Sequence, residues 1–270
     1  MKSSSSIKPV CTLAALVGVA TMLPNSAMAD NLLTNGGFET GDFTGWTVHN
    51  LPGSDTTGTF AIGNNITDNL LTPPGPSTPI SELPSVGAKT GNYYAVSDSL
   101  GPGTHVLLQS FTMPIGFHSL VRLSFDMFTN DWYGGGVMNQ NGPLDHNQLD
   151  GMSNLIPTQF ARVDLLTASA DAFSVNTGDV LDTLYIGEDT GYPANPYTHY
   201  SFDISSIVNA GDTYQLRFAE VDNQFTLNQG IDNVGVTTQT PEPGNTALIV
   251  SLGLSGIAAL RRKQRSQQPV

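Results

Sequence analysis

A period of two, often broken, limits what this chain can fold into more than any other feature of it. In Val121-Arg122-Leu123-Ser124-Phe125-Asp126-Met127 the apolar side chains take the odd positions and the polar ones the even, as a strand with one buried face requires. Ala161-Arg162-Val163-Asp164-Leu165 and Tyr214-Gln215-Leu216-Arg217-Phe218 repeat the pattern. Tyr93–Val96, Val106–Met113, Leu184–Ile186, Tyr200–Ile204 and Ile231–Val236 are further strand candidates. Gly, Pro, Asn and Asp separate these runs, and no segment carries an apolar period of 3.6, so helices are not expected in the body. Around ten strands in one domain predict an all-β chain folded as a single sandwich. Two long segments interrupt them. Asn69–Ala88 holds Pro73, Pro74, Pro76, Pro79 and Pro84, which withhold ladder donors, and Asn130–Pro157 contains Gly134-Gly135-Gly136. Irregular segments of this length are uncommon in compact domains unless they are functional or mobile.

The two ends of the sequence read as export signals. Lys2 and Lys8 precede an apolar stretch from Val10 to Leu23, and Ala27-Met28-Ala29 gives the small-x-small pattern read by signal peptidase. Residues 1–29 are therefore expected to be a signal peptide, with Asp30 as the first mature residue. Cys11, the only cysteine, falls inside that signal, so no disulfide can staple the mature chain and the body, residues 30–238, must rely on its core. At the other end Pro241-Glu242-Pro243 is followed by an apolar run over Thr246–Leu260 and then by Arg261, Arg262, Lys263 and Arg265. Counted from residue 244 to 260, that run reaches the short end of the roughly 17–25 residues that cross a membrane as helix. The basic end, residues 261–265, would stay on the cytoplasmic side.

The three parts of residues 239–270, in that order, resemble the bacterial PEP-CTERM sorting signal. The resemblance implies that a membrane-embedded exosortase reads the tail, cleaves near the Pro-Glu-Pro element and delivers the body to the cell surface or the extracellular matrix. Membrane contact would then be transient and confined to the tail.

Charge narrows the partners. Between Asp30 and Thr240 there are 22 Asp or Glu residues against Lys89, Arg122, Arg162 and Arg217, a net −18. Such a body repels phosphate backbones and offers no basic stripe, which excludes nucleic acid. The acidity either welcomes divalent cations or serves solubility alone.

The body carries a second resemblance. Asn31-Leu32-Leu33-Thr34-Asn35-Gly36-Gly37-Phe38-Glu39-Thr40-Gly41-Asp42-Phe43-Thr44-Gly45-Trp46 is similar to the opening of galactose-binding-like jelly rolls, a fold shared by several carbohydrate-binding modules, and Ile231-Asp232-Asn233-Val234 is similar to their closing strand. The resemblance implies a jelly-roll sandwich and places a structural Ca²⁺ between the first and last strands. Glu39 and Asp232 are the expected carboxylate ligands, with Asn35 and Asp42 as weaker ones. Ca²⁺ takes six to eight oxygens, a demand that carboxylates and turn carbonyls meet. The residues themselves say that Gly36-Gly37 supplies a positive φ or a close backbone approach before Phe38 plugs the core and Trp46 covers its edge. Asp232 shares parity with Val234 and Val236, so it is expected to point toward the apolar layer, where it needs a cation or several hydrogen bonds.

Catalytic signatures are missing: no His-Glu-x-x-His, no Gly-x-Ser-x-Gly, no phosphate-cradling glycine loop and no cysteine nucleophile. His49, His105, His118, His146 and His199 are scattered and fit solvent-exposed or core-bonded roles. Asp145, His146 and Asp150 form either an oxygen-rich cation loop or simple loop polarity. Trp132 and Tyr133, at the mouth of the glycine-rich segment, can stack on a sugar ring or pack down on that segment. The expectation is an exported, non-catalytic, adhesive or glycan-associated binding module with extracellular polysaccharide as its partner. Two alternatives stay open, an atypical carboxylate-dependent glycan hydrolase and a purely structural matrix component. Paired carboxylates about 5–10 Å apart across a cleft would mark the hydrolase, and an exposed aromatic groove would mark a binder.

Overall fold

Alternation becomes architecture in ten strands arranged as two five-stranded antiparallel sheets. The computed structural model describes residues 31–116, 120–132, 134–187 and 194–239, all within one unit, Ala29–Pro241. The strands are β1 (Thr47–Asn50), β2 (Thr59–Asn64), β5 (Tyr93–Asp98), β6 (Gly103–Thr112), β7 (Leu120–Asp131), β8 (Gln159–Thr167), β9 (Val180–Gly187), β10 (Thr198–Asp203), β11 (Thr213–Asp222) and β12 (Leu227–Gln239). Two-residue β3 (Thr67–Asp68) and β4 (Gly75–Pro76) pair with each other inside the proline-rich segment. One sheet runs β1-β6-β11-β8-β9 and the other β10-β7-β12-β5-β2. All eight expected segments fall on strands, and β1 and β2 add two edges.

The sheets face each other across an apolar core. Phe125 of β7 meets Phe218 of β11 edge-to-face at 5.3 Å, joining the two layers. Leu107, Leu123, Met127, Val163, Leu165, Leu216, Ile231 and Val236 fill the space around them. Phe38 is fully buried and lies 5.5 Å from Trp46, so the opening segment does plug this core. The outer faces are covered too. Val106, Phe160, Leu166, Ala219 and Val221 pack beneath Leu144 from the β7–β8 crossover between the sheets and Ala170 from the β8–β9 connection. On the second sheet the proline-rich segment is bonded down: Ile80 N–H and Ser81 N–H both donate to Asp98, and Ser85 Oγ meets Tyr94 Oη at 2.7 Å.

One local expectation needs correction, and one pair of alternatives is decided. Asp232 does not share the inner face with Val234 and Val236. The register of β12 against β7 shifts between Asp232 and Gly235, a bulge in which Asn233 takes φ 52°, so Ile231 faces the core before it and Val234 and Val236 after it. Asp232 is nonetheless wholly buried, opposite Asp126. At the opening turn the positive φ falls on Asn35 and Phe38, and Gly36 serves close approach instead: a Cβ there would overlap the Val234 carbonyl oxygen. Gly36 O accepts Val234 N–H at 2.8 Å, and Leu32 N–H donates to Val236 O at 2.8 Å, clipping the chain's opening to β12.

Candidate functional site

Two turns at one end of the sandwich frame an open cleft of about 120 Å³. Leu100, Gly101 and Pro102, between β5 and β6, form one wall, and Asn223, Gln224, Phe225 and Thr226, between β11 and β12, form the other. Leu100 is 66% and Phe225 57% exposed, so an apolar surface frames amide and hydroxyl side chains. No lining side chain titrates. Such a surface can stack a ring and bond its hydroxyls, and it offers no acid or base to cleave it.

Asn223 makes the wall rigid. Its N–H donates to Thr158 O, its Nδ2 to His146 O and Ile156 O, and its Oδ1 accepts Thr158 N–H and Gln224 Nε2, all between 2.7 and 2.9 Å. The long segment 134–157 is thereby fastened to the cleft. The buried His146 bonds Thr104 Oγ1 through Nδ1. Asp145 and Asp150 accept backbone N–H groups of Asn147, Met152 and Asn154 at the surface, the geometry of polar turns.

Trp132 flanks this wall. Its N–H donates to Thr226 O at 3.2 Å, and its indole Nε1–H to Asn228 Oδ1 at 3.0 Å. The side chain is half-buried, with its polar edge turned inward. Tyr133 lies outside the described residues, as do Ala27, Ala29, Pro241, Glu242, Pro243, Arg261, Arg262 and His118.

Directly beneath the cleft the interior is acidic. Asp222, Glu220 and Asp98 are each 1% exposed. Burial, then Asp222, then Asp98, raise the Glu220 carboxyl well above the usual range, and its Oε1 has no hydrogen-bond partner among the described residues. Burial also pushes Asp222 up to about 7 against two backbone N–H bonds. His105, on the neighbouring strand, is held down to about 4 by burial and by His146, and is therefore neutral. These acids are sealed from the cleft and do not face each other across it.

The residues expected to hold a cation separate into two groups. Glu39 and Asp232 grip one loop: Asp232 accepts Thr90 N–H at 3.0 Å, and Glu39 accepts Asn92 and Tyr93 N–H at 3.0 Å. Burial raises Asp232 to about 6, with Glu39 among the lesser causes. Asn35 and Asp42 instead secure their own turn, Asn35 Nδ2 donating to Asp42 O and the Asp42 carboxylate accepting Thr40 Oγ1–H and Thr44 N–H. Among the described residues no three His, Asp or Glu side chains gather in a metal-binding group. Glu39 and Asp232 retain lone pairs that a cation could share, so the carboxylate pair fits an oxygen-seeking ion only with backbone or solvent oxygens added.

Phe225 and Asn223 escaped the sequence reading because they sit in a short turn between strands. The available signal was a large aromatic inside a four-residue turn, where it has no strand face on which to pack. A third polar cluster, on the outer face of the first sheet, joins Arg162, Asp164 and Arg217: Arg162 Nε and Arg217 Nη2 both donate to Asp164 Oδ2 at 2.7 Å, while Arg217 Nη1 donates to Ala172 O and Ser174 O.

No protein-family model and no curated protein matches the sequence. Solved structures with similar folds include TmCBM61 in complex with β-1,4-galactotriose, 14% identical, with 78% of this chain and 100% of that one covered at a TM-score of 0.43. A cleaved adhesin domain of Lys-gingipain from Porphyromonas gingivalis is 11% identical over 76% and 96% of the two chains, TM-score 0.40. A Stig cyclase from Fischerella sp. TAU is 16% identical over 78% and 98%, TM-score 0.39. At these identities and scores no function carries across.

Proposed function

We propose that this protein is a non-catalytic, glycan-associated binding module of the jelly-roll kind, exported and presented at the cell surface or in extracellular polysaccharide. The observation that carries the proposal is the end cleft: an exposed aromatic, Phe225, beside Asn223, Gln224 and Thr226, with no titratable group in the lining. A hydrolase would need carboxylates facing the cleft, and Glu220 and Asp222 are buried under it. The sorting tail, exosortase and signal peptidase belong to the same proposal and rest on the sequence alone, as does Ca²⁺ at Glu39 and Asp232.

A glycan array probed with the purified protein tests the cleft. Phe225→Ala is expected to weaken the best glycan hit by roughly 1–3 kcal/mol, the scale of an interface anchor, at unchanged melting temperature. Trp132→Ala, which also breaks the bond to Asn228, is expected to lower both affinity and melting temperature. Unchanged affinity in both variants would remove the cleft from the proposal.

A further inference from the structure

One carboxylate holds both walls of the cleft from below. Asp222 Oδ1 accepts Gly103 N–H and Oδ2 accepts Leu227 N–H, each at 3.1 Å. Gly103 immediately follows Pro102, the last residue of one wall, and Leu227 immediately follows Thr226, the last of the other. No other described side chain bonds the exits of both turns.

We propose that Asp222 is a proton-released clip: ionised, it fixes the spacing of the two walls, and protonated, it lets one of them go. A carboxylate offers an acceptor oxygen to each amide, whereas a carboxylic acid keeps only one good acceptor, its hydroxyl oxygen having become a donor. Either site of protonation therefore costs one wall its tie. Among the described residues no Lys or Arg bonds Asp222 to hold its charge. Around Asp222 stand Glu220 on its own strand, Asp98 on β5, Asp55 in the turn after β1, neutral His105 on β6, His146 in segment 134–157, and Asp131 on β7, which is bonded to Gln159, the register partner of Asp222 on β8. Glu220 lacks a donor at Oε1, while Asp222 has two, so of these adjacent acids Glu220 keeps the proton and Asp222 the charge. Burial places the release of that charge near neutral pH, at about 7. The consequence for ligand, a cleft that is firm in alkaline and loose in acidic surroundings, rests on the binding role proposed above. The clip itself does not.

Amide hydrogen exchange on the unliganded protein, normalised to intrinsic rates at each pH, tests the clip without any glycan. Between pH 8 and pH 5 the protection of Gly103, of Leu227 or of both is expected to fall roughly tenfold or more, the effect of losing one charge-assisted hydrogen bond. Leu107, on the strand of Gly103, and Phe218, on the strand of Asp222, both inside the core, are expected to stay protected. Flat protection at both amides would overturn the clip, and so would parallel loss at all four positions, which would be global opening. Asp222→Asn is expected to abolish the pH dependence, and its persistence in a folded variant would overturn the proposal. If that buried substitution prevents folding, the wild-type profile decides alone.

Discussion

At the scale of single residues, Arg217 shows how far a polar side chain can be from the solvent its position suggests. It alternates with Leu216 and Phe218 as a surface residue of β11 would, yet it is fully buried, because the connection between β8 and β9 folds over this face and supplies Ala172 O and Ser174 O as acceptors. Burial holds its guanidinium below the ordinary range, while Asp164 pulls the other way. Arg217→Met leaves Asp164 with Arg162 as its one remaining cation and strands two carbonyl contacts. Loss of one partner from a buried ionic network costs about 3–5 kcal/mol, so urea denaturation is expected to show a loss of at least about 3 kcal/mol. A loss under about 1 kcal/mol would mean that the network contributes specificity and not stability. The same scale explains why the candidate site was hard to read. Trp132 was visible as an aromatic after a strand, and it does border the cleft through Thr226. Phe225 and Asn223 were not, since only the turn's three-dimensional partners distinguish them from ordinary loop polarity.

At the scale of elements, strands with strict alternation were legible because each presents one face to the core. β1 and β2 were not: Thr-Val-His-Asn is too short to show a period, and Gly63 in β2 exists to let the Tyr94 ring lie against the backbone. The bulge in β12 left a trace in the sequence, since Ile231 and Val234 are both apolar at opposite parities, and a single uninterrupted strand cannot turn both toward the same core. The docking of the opening segment on that strand turns on one glycine. Gly36→Ala would drive a methyl group into the Val234 carbonyl and is expected to cost roughly 1–3 kcal/mol by overpacking. Gly37→Ala meets its nearest atoms at 3.8 Å and is expected to stay within about 0.5 kcal/mol. Thermal melts of the pair check this, and equal losses would assign the effect to backbone freedom instead of space.

For the whole molecule, two measurements bear on what the proposal adds to the fold. Protein recovered from outside the cell is expected to begin at Asp30 and end near Pro241–Pro243 by intact mass, and retention of Thr246–Leu260 in that material would remove the exosortase step. Calcium bound only to the folded state stabilises it by about 2.7 kcal/mol at a hundredfold excess over Kd, so chelation is expected to lower the melting temperature, and Asp232→Ala to abolish that response. An unresponsive wild type would leave Glu39 and Asp232 as amide acceptors for the Thr90–Tyr93 loop. β12 gives the module a mechanical character as well. It begins one residue after the cleft, ends at Gln239, and is hydrogen-bonded to β7 along most of its length. A polymer tugging at Phe225 against an anchor beyond Gln239 would pull along the strand axis, so the ladder would share the load in shear and would not peel open one bond at a time.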